Sequence, residues 1–221
     1  MKILGYSERG IINSLISNIG ENKEFMDKFI KLVSFSTAID FEEPIDYTIL
    51  LEQSLSRFGD SDLIIIVKYN KAEDNRVIFF EGKVKTCQGN WNIDYHYNKY
   101  KSGEEYVGSS SNLFFQLHLK KLLIDNYSVI KKTGEIIEPI FGVLRKIGKN
   151  PVVNNAFDLI ECRKAYFIGI VPTKTTDIKN FIKLNKTDLN FLSWESIYDF
   201  CVENKLSKVL EMFKYNEGQI Y

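Results

Sequence analysis

Three charged side chains stand where apolar ones would be expected. They are Asp62, Glu81 and Lys83, in the stretch FGDSDLIIIVKYNKAEDNRVIFFEGKVKT from Phe58 to Thr86. Side chains alternate faces along a strand, so Glu81 and Lys83, two apart, project the same way. Val77, Ile78, Phe79 and Phe80 precede Glu81, and Val84 follows Lys83, which argues against a simple solvated strand. Charges on a buried strand need partners, and an acidic pair holding a hard divalent cation is one answer. The chemistry that suits such a set is metal-assisted hydrolysis of a phosphodiester, in which the ion stabilises charge on the phosphate and lowers the pKa of an attacking water. A lysine beside that water can orient it, or assist its deprotonation if burial depresses the amine pKa. Gly82 leaves room on the opposite face. The plainer alternative is that Glu81 and Lys83 form structural ion pairs.

These residues must be positioned by a β-hairpin. Leu63 to Tyr69 (LIIIVKY) reads as the first strand, Asn70–Asn75 as a polar loop, and Arg76 to Lys85 as the returning partner. Asp62 opens the first strand and Glu81 lies near the end of the second, at neighbouring positions across an antiparallel pair. Asp60 is the fallback for Asp62, but it precedes the strand and suits the turn better.

Before the hairpin, Gly10 to Ile19 carries apolar residues at helical spacing, with Ser7 as N-cap ahead of Glu8. Glu24 to Phe35 is a second amphipathic helix, and Asp40 to Asp46, with Pro44, is a connector. Tyr47 to Leu55 is open between helix and strand, and its β-branched and aromatic start tilts it toward strand. After the hairpin, Cys87 to Ser110 is rich in Asn, Gly, Ser and Tyr and reads as an irregular excursion, or equally as a hairpin with Trp91, Tyr95 and Tyr97 on one face. Its Tyr95, Tyr97 and Tyr100 are suited either to stacking on bases or to packing the excursion onto the body.

Ser110 or Ser111 is then expected to cap a helix running through Ile124, with Gln116 and Lys120 four apart on one face. Pro139 to Arg145 and Asn155 to Arg163 read as helical pieces of an insertion spanning about residues 131–164. Ala165 to Val171 is an apolar strand stopped by Pro172. Asp177 to Leu184 is a short basic helix, and Phe191 to Ser193 is a brief strand. Ser193 caps a helix from Trp194 to Glu203, and Ser207 to Tyr215 is the last helix. This order predicts an α/β chain, a mixed central sheet between helices in a three-layer sandwich, folded as a single domain over residues 1–221.

Composition narrows the function classes. The chain has 221 residues, 44% of them hydrophobic, and a formal net charge of zero, which is not the balance of a simple nucleic-acid binder. Charge is unevenly spread: residues 1–62 hold 6 Lys/Arg against 11 Asp/Glu, and residues 131–186 hold 11 against 5. That asymmetry suits metal ligands facing a phosphate-contacting surface, and equally suits ordinary solvated faces. The 3 cysteines, Cys87, Cys162 and Cys201, are scattered without a CxxC pair, which points to reduced thiols and away from structural zinc. With 2 histidines, His96 and His118, imidazole chemistry is poorly supplied. MKILGYSERG lacks the apolar core of a secretory leader, and no run of about 18 apolar residues occurs, so the expectation is a cytoplasmic protein without a membrane partner.

Ser61-Asp62 followed by Glu81-Gly82-Lys83 resembles the signature of the PD-(D/E)xK nuclease superfamily, with Ser61 where that family has its proline. The proline is not a ligand. Chain order is similar over roughly residues 5–203, which implies a restriction-endonuclease-like core of α-β-β-β-α-β order. Tyr6-Ser7-Glu8-Arg9-Gly10 resembles the helix whose glutamate completes the metal site in some members. Gln116 with Lys120 resembles the polar pair that follows the ExK strand, and Phe191-Leu192-Ser193-Trp194 resembles an ending found in related bacterial proteins. The resemblance implies Mg²⁺, with Mn²⁺ as substitute, bound by Asp62 and Glu81 with Glu8 as accessory ligand. It implies that Lys83 orients the nucleophilic water, and that Gln116 and Lys120 contact substrate phosphate or Lys83. The partner implied is nucleic acid, DNA first, and a homodimer is one arrangement open to such a protein. The alternative is an inactive member that binds nucleic acid or protein. Glu8 would otherwise be a first-turn acid favouring the helix dipole, and Gln116 with Lys120 an exposed helix face.

Overall fold

A computed structural model describes residues 4–36, 43–85, 91–103, 111–161 and 164–220. The first helices are α1 (Ser7–Ile19) and α2 (Lys23–Lys31). Strands β1 (Asp46–Ser54), β2 (Asp60–Lys68) and β3 (Arg76–Gly82) follow, and then α3 (Ile93–Ser102), α4 (Leu113–Asp125) and α5 (Tyr127–Thr133). Next come β4 (Glu135–Ile137), β5 (Leu144–Lys146), α6 (Pro151–Leu159), β6 (Lys164–Val171) and α7 (Thr175–Asn185). The chain continues through β7 (Asn190–Ser193), α8 (Trp194–Glu203) and α9 (Ser207–Tyr215).

The class is α/β: a five-stranded mixed sheet in the order β1-β2-β3-β6-β7, with helices on both sides. β1 and β3 both run antiparallel to β2, whereas β7 runs parallel to β6. β2 and β3 are enclosed on both faces, which is why they read as nearly continuous apolar runs rather than alternating ones. Contacts divide the chain into two compact units, one of residues 1–40, 82–94 and 168–221, the other of residues 41–81 and 95–167. In the first unit the core includes Ile11, Leu15, Phe29, Phe191 and Trp194; in the second it includes Leu63 to Ile65, Phe79, Phe80 and Phe114. Among the described residues no helix is long and apolar enough to cross a membrane.

Several boundaries are set by contacts that no local pattern announces. α1 begins at Ser7 rather than being capped by it, because the Ser7 amide donates to Asn216 Oδ1 beyond α9. α2 stops short of Phe35, since Ser34 turns into a bridge with Phe191. Asn112 caps α4, its side chain accepting from the amides of Phe114 and Phe115, in place of Ser110 or Ser111. α6 starts earlier than expected, at Pro151 behind the Asn150 cap.

Two readings are corrected outright. Residues 93–102, expected as irregular chain or hairpin, form α3, because Tyr97 and Tyr100, one turn apart, pack on Phe114 of α4. The rest of the expected excursion, residues 87–90 and 104–110, lies outside the described residues. Pro139 to Arg145 is not a helix. It is the turn and return strand of a hairpin in which Glu138 N–H donates to Val143 O, Gly142 N–H donates to Glu138 O, and Gly142 adopts φ 65°.

Candidate functional site

The β2–β3 register decides where the two carboxylates go. Leu63 pairs with Phe80 and Ile64 with Phe79, so the next step outward sets Asp62 opposite Glu81, on one face of neighbouring strands. Both side chains are buried, with Asp62 7% and Glu81 2% exposed. On the other side of Asp62, the β1 pairs Leu51–Leu63 and Gln53–Ser61 leave Glu52 beside it, with φ 48° and an exposed residue surface. Three carboxylate-bearing residues therefore stand in one row across β1, β2 and β3. Glu52 was missed from the sequence because the strand assignment of this segment was open, and only the register brings it alongside. Among the described residues no three His, Cys, Asp or Glu side chains close into a metal-ligating group.

Lys120 of α4 reaches this face of the hairpin. Its Nζ lies 2.8 Å from Glu81 Oε1 and donates to the Asp60 carbonyl at 2.6 Å, and its side chain is fully enclosed. Burying an ammonium and a carboxylate costs several kcal/mol per ion, offset only by close pairing and further hydrogen bonds. Gly59 makes the approach possible: a Cβ there would lie 3.2 Å from Lys120 Nζ, and its φ of 78° suits glycine. Gln116, one turn earlier on α4, is half-buried, and its Oε1 is enclosed without a hydrogen-bond partner among the described residues. Ser61, where the family signature has proline, is buried and its hydroxyl hydrogen-bonds to the carbonyls of Leu63 and Phe80.

Lys83 and Glu8 belong to the first unit, whereas Asp62, Glu81, Gln116 and Lys120 belong to the second. Lys83 is fixed through its backbone. Its N–H donates to Ile170 O at 2.8 Å, and its carbonyl accepts from the Trp194 indole at 2.8 Å. The side chain is half-buried and has no ion pair among the described residues. Glu8 occupies the first turn of α1 and accepts a hydrogen bond from the Ser7 hydroxyl.

A second polar cluster, not anticipated from the sequence, lies within the second unit. Glu138 is fully buried; its Oε2 accepts a hydrogen bond from Arg145 Nε at 3.0 Å and lies 3.0 Å from Nη2 of the same guanidinium. His118 Nε2 lies 3.3 Å from the same carboxylate, and its Nδ1 lies 3.3 Å from the Tyr100 hydroxyl. Cysteine chemistry is poorly served. Burial pushes the Cys201 thiol up to about 12, so it is not a nucleophile at neutral pH, while Cys87 and Cys162 lie outside the described residues.

Compared with known proteins, the chain matches no family model, no curated protein and no solved structure.

Proposed function

We propose that this chain is a divalent-metal-dependent nuclease that hydrolyses phosphodiester bonds in DNA, built on a restriction-endonuclease-like core of the PD-(D/E)xK type. The observation that carries the reading is the opposition of Asp62 and Glu81 across β2 and β3, both buried, with Lys83 two residues further on. The order of helix, three antiparallel strands, helix and further strand is consistent with that core.

Two carboxylates fit Mg²⁺ or Mn²⁺, hard ions that keep waters and accept substrate oxygens alongside a small number of protein ligands. Asp62 and Glu81 would hold the ion. When bound, it would supply charge stabilisation at the phosphate and a more acidic water. Lys120 pairs with the Glu81 carboxylate and fixes its direction, whereas the half-buried Lys83 orients the attacking water. Gln116, half-buried one turn before Lys120, would contact the substrate phosphate through its amide, as the resemblance implies.

The Glu81–Lys120 pair also supports a second reading, an inactive member in which the carboxylate serves structure and the surface binds nucleic acid or protein. Titration calorimetry with Mn²⁺ separates the two. The nuclease reading expects binding by the wild type that is lost in Asp62→Asn and Glu81→Gln. No heat of binding in the wild type favours the inactive module.

A further inference from the structure

The β4–β5 hairpin keeps apolar side chains in water on a rigid mount. Ile137 and Leu144 are a cross-strand pair, 66% and 39% exposed, and Ile140 in the connecting turn is 63% exposed. The mount lies behind them. Glu138, next to Ile137, is fully buried against Arg145, whose Nη1 also donates to Arg57 O at 3.2 Å. The Gly148 N–H donates to Ser56 Oγ at 2.9 Å, and Ile147 N–H to Gly134 O at 3.0 Å. A loose hairpin would fold its isoleucines inward; this one is held so that they stay out.

Cations stand at the base of the hairpin, before β4 and from the end of β5 onward. Lys132, Lys146 and Lys149 are exposed and have no ion pair among the described residues, although Glu135 stands opposite Lys146 in the register. Lys131 is already committed to Glu161 and Asp158. Aliphatic side chains projecting ahead of phosphate-binding charges are what a duplex meets when a wedge opens a base step and the flanking backbone is held.

We infer that the β4–β5 hairpin is a DNA-contacting wedge: Ile140, with Ile137 and Leu144 behind it, enters between bases while Lys132, Lys146 and Lys149 bind the adjacent phosphates. This rests on the proposal that the chain acts on DNA. The exposed lysines at the base complement a polyanion, and the apolar patch ahead of them is confined to Ile137, Ile140 and Leu144.

The test is fluorescence anisotropy of the full chain with a short fluorescein-labelled DNA duplex in EDTA, which removes cleavage from the measurement. Ile137→Ser/Ile140→Ser/Leu144→Ser is expected to weaken binding roughly tenfold or more, and to abolish the fluorescence rise of 2-aminopurine placed along the duplex. Lys132→Ala/Lys149→Ala is expected to reduce the slope of log K against log salt by about 0.9 for each phosphate that is no longer neutralised. Circular dichroism confirms that these surface variants fold. Duplex affinity unchanged in the triple serine variant overturns the inference. So does a triple variant that loses binding to phosphatidylserine–phosphatidylcholine vesicles while keeping duplex affinity. Hairpin-dependent duplex binding by a wild type that cuts no DNA supports the wedge and removes the nuclease reading, so the two fail separately.

Discussion

Lys120 Nζ lies 2.8 Å from Glu81 Oε1, and neither side chain reaches solvent to any useful extent. The only other hydrogen bond described for that ammonium is to the Asp60 carbonyl, at the start of the strand that carries Asp62. One buried lysine thus ties together the ends of β2 and β3, where the two candidate metal ligands face each other.

Removing that lysine should be costly. Lys120→Met leaves Glu81 buried without its main compensating charge, and is expected to destabilise the fold by about 3–5 kcal/mol in urea unfolding. Lys120→Met combined with Glu81→Leu is expected to recover much of the loss, because the desolvation penalty leaves with both charges. A double variant as unstable as the sum of its singles would show that the pair does not act as a unit.

Gly59 should tolerate little. Its φ of 78° disfavours any side chain, and an added Cβ would press on Lys120 Nζ at 3.2 Å. Gly59→Ala is expected to cost about 1–3 kcal/mol from the backbone conformation alone, since φ 78° with ψ 167° is a region open essentially to glycine, measured by the same unfolding curves. An unchanged midpoint would mean that the turn relaxes away from Lys120.

How far the sequence carried this site depends on the residue. Asp62 opposite Glu81 follows from hydrophobic runs whose lengths fix the hairpin, and α9 falls on Ser207–Tyr215 with the expected bounds. Ser193 caps α8, accepting from the Ser196 amide as its position implied. Lys120 could not be oriented the same way. α4 is apolar around most of its circumference, so no polar stripe marks which of Lys120 and Lys121 turns inward. The β4–β5 hairpin was hidden for a different reason. Its strands have 3 residues each, too short for alternation to register, and they are held by tertiary contacts of Glu138 and Arg145. α3 likewise owes its helix to Tyr97 and Tyr100 on Phe114, which no local period shows.

Alkaline conditions should probe the core of the first unit through Cys201. Burial raises its thiol from the ordinary 9.0 to about 12, so the unfolded chain loses this proton first. The contribution is fully present below pH 9 and is lost as pH rises from there toward 12, with a slope of up to about 1.4 kcal/mol per pH unit for one proton. Chemical unfolding followed between pH 8.5 and 10.5, in a Cys87→Ser/Cys162→Ser background, is expected to show this decline, and Cys201→Ala to flatten it. An equal decline in Cys201→Ala would assign it to other groups. Tyr127, raised to about 12 mainly by burial, is expected to add to the fall above pH 10.

The central claim is tested most directly by incubating supercoiled plasmid with the purified chain in Mg²⁺, in Mn²⁺ and in EDTA, beside Asp62→Asn and Lys83→Ala. The account predicts metal-dependent nicking or degradation by the wild type, none in EDTA, and loss of about a hundredfold or more in either variant. Cleavage that survives both substitutions would contradict it.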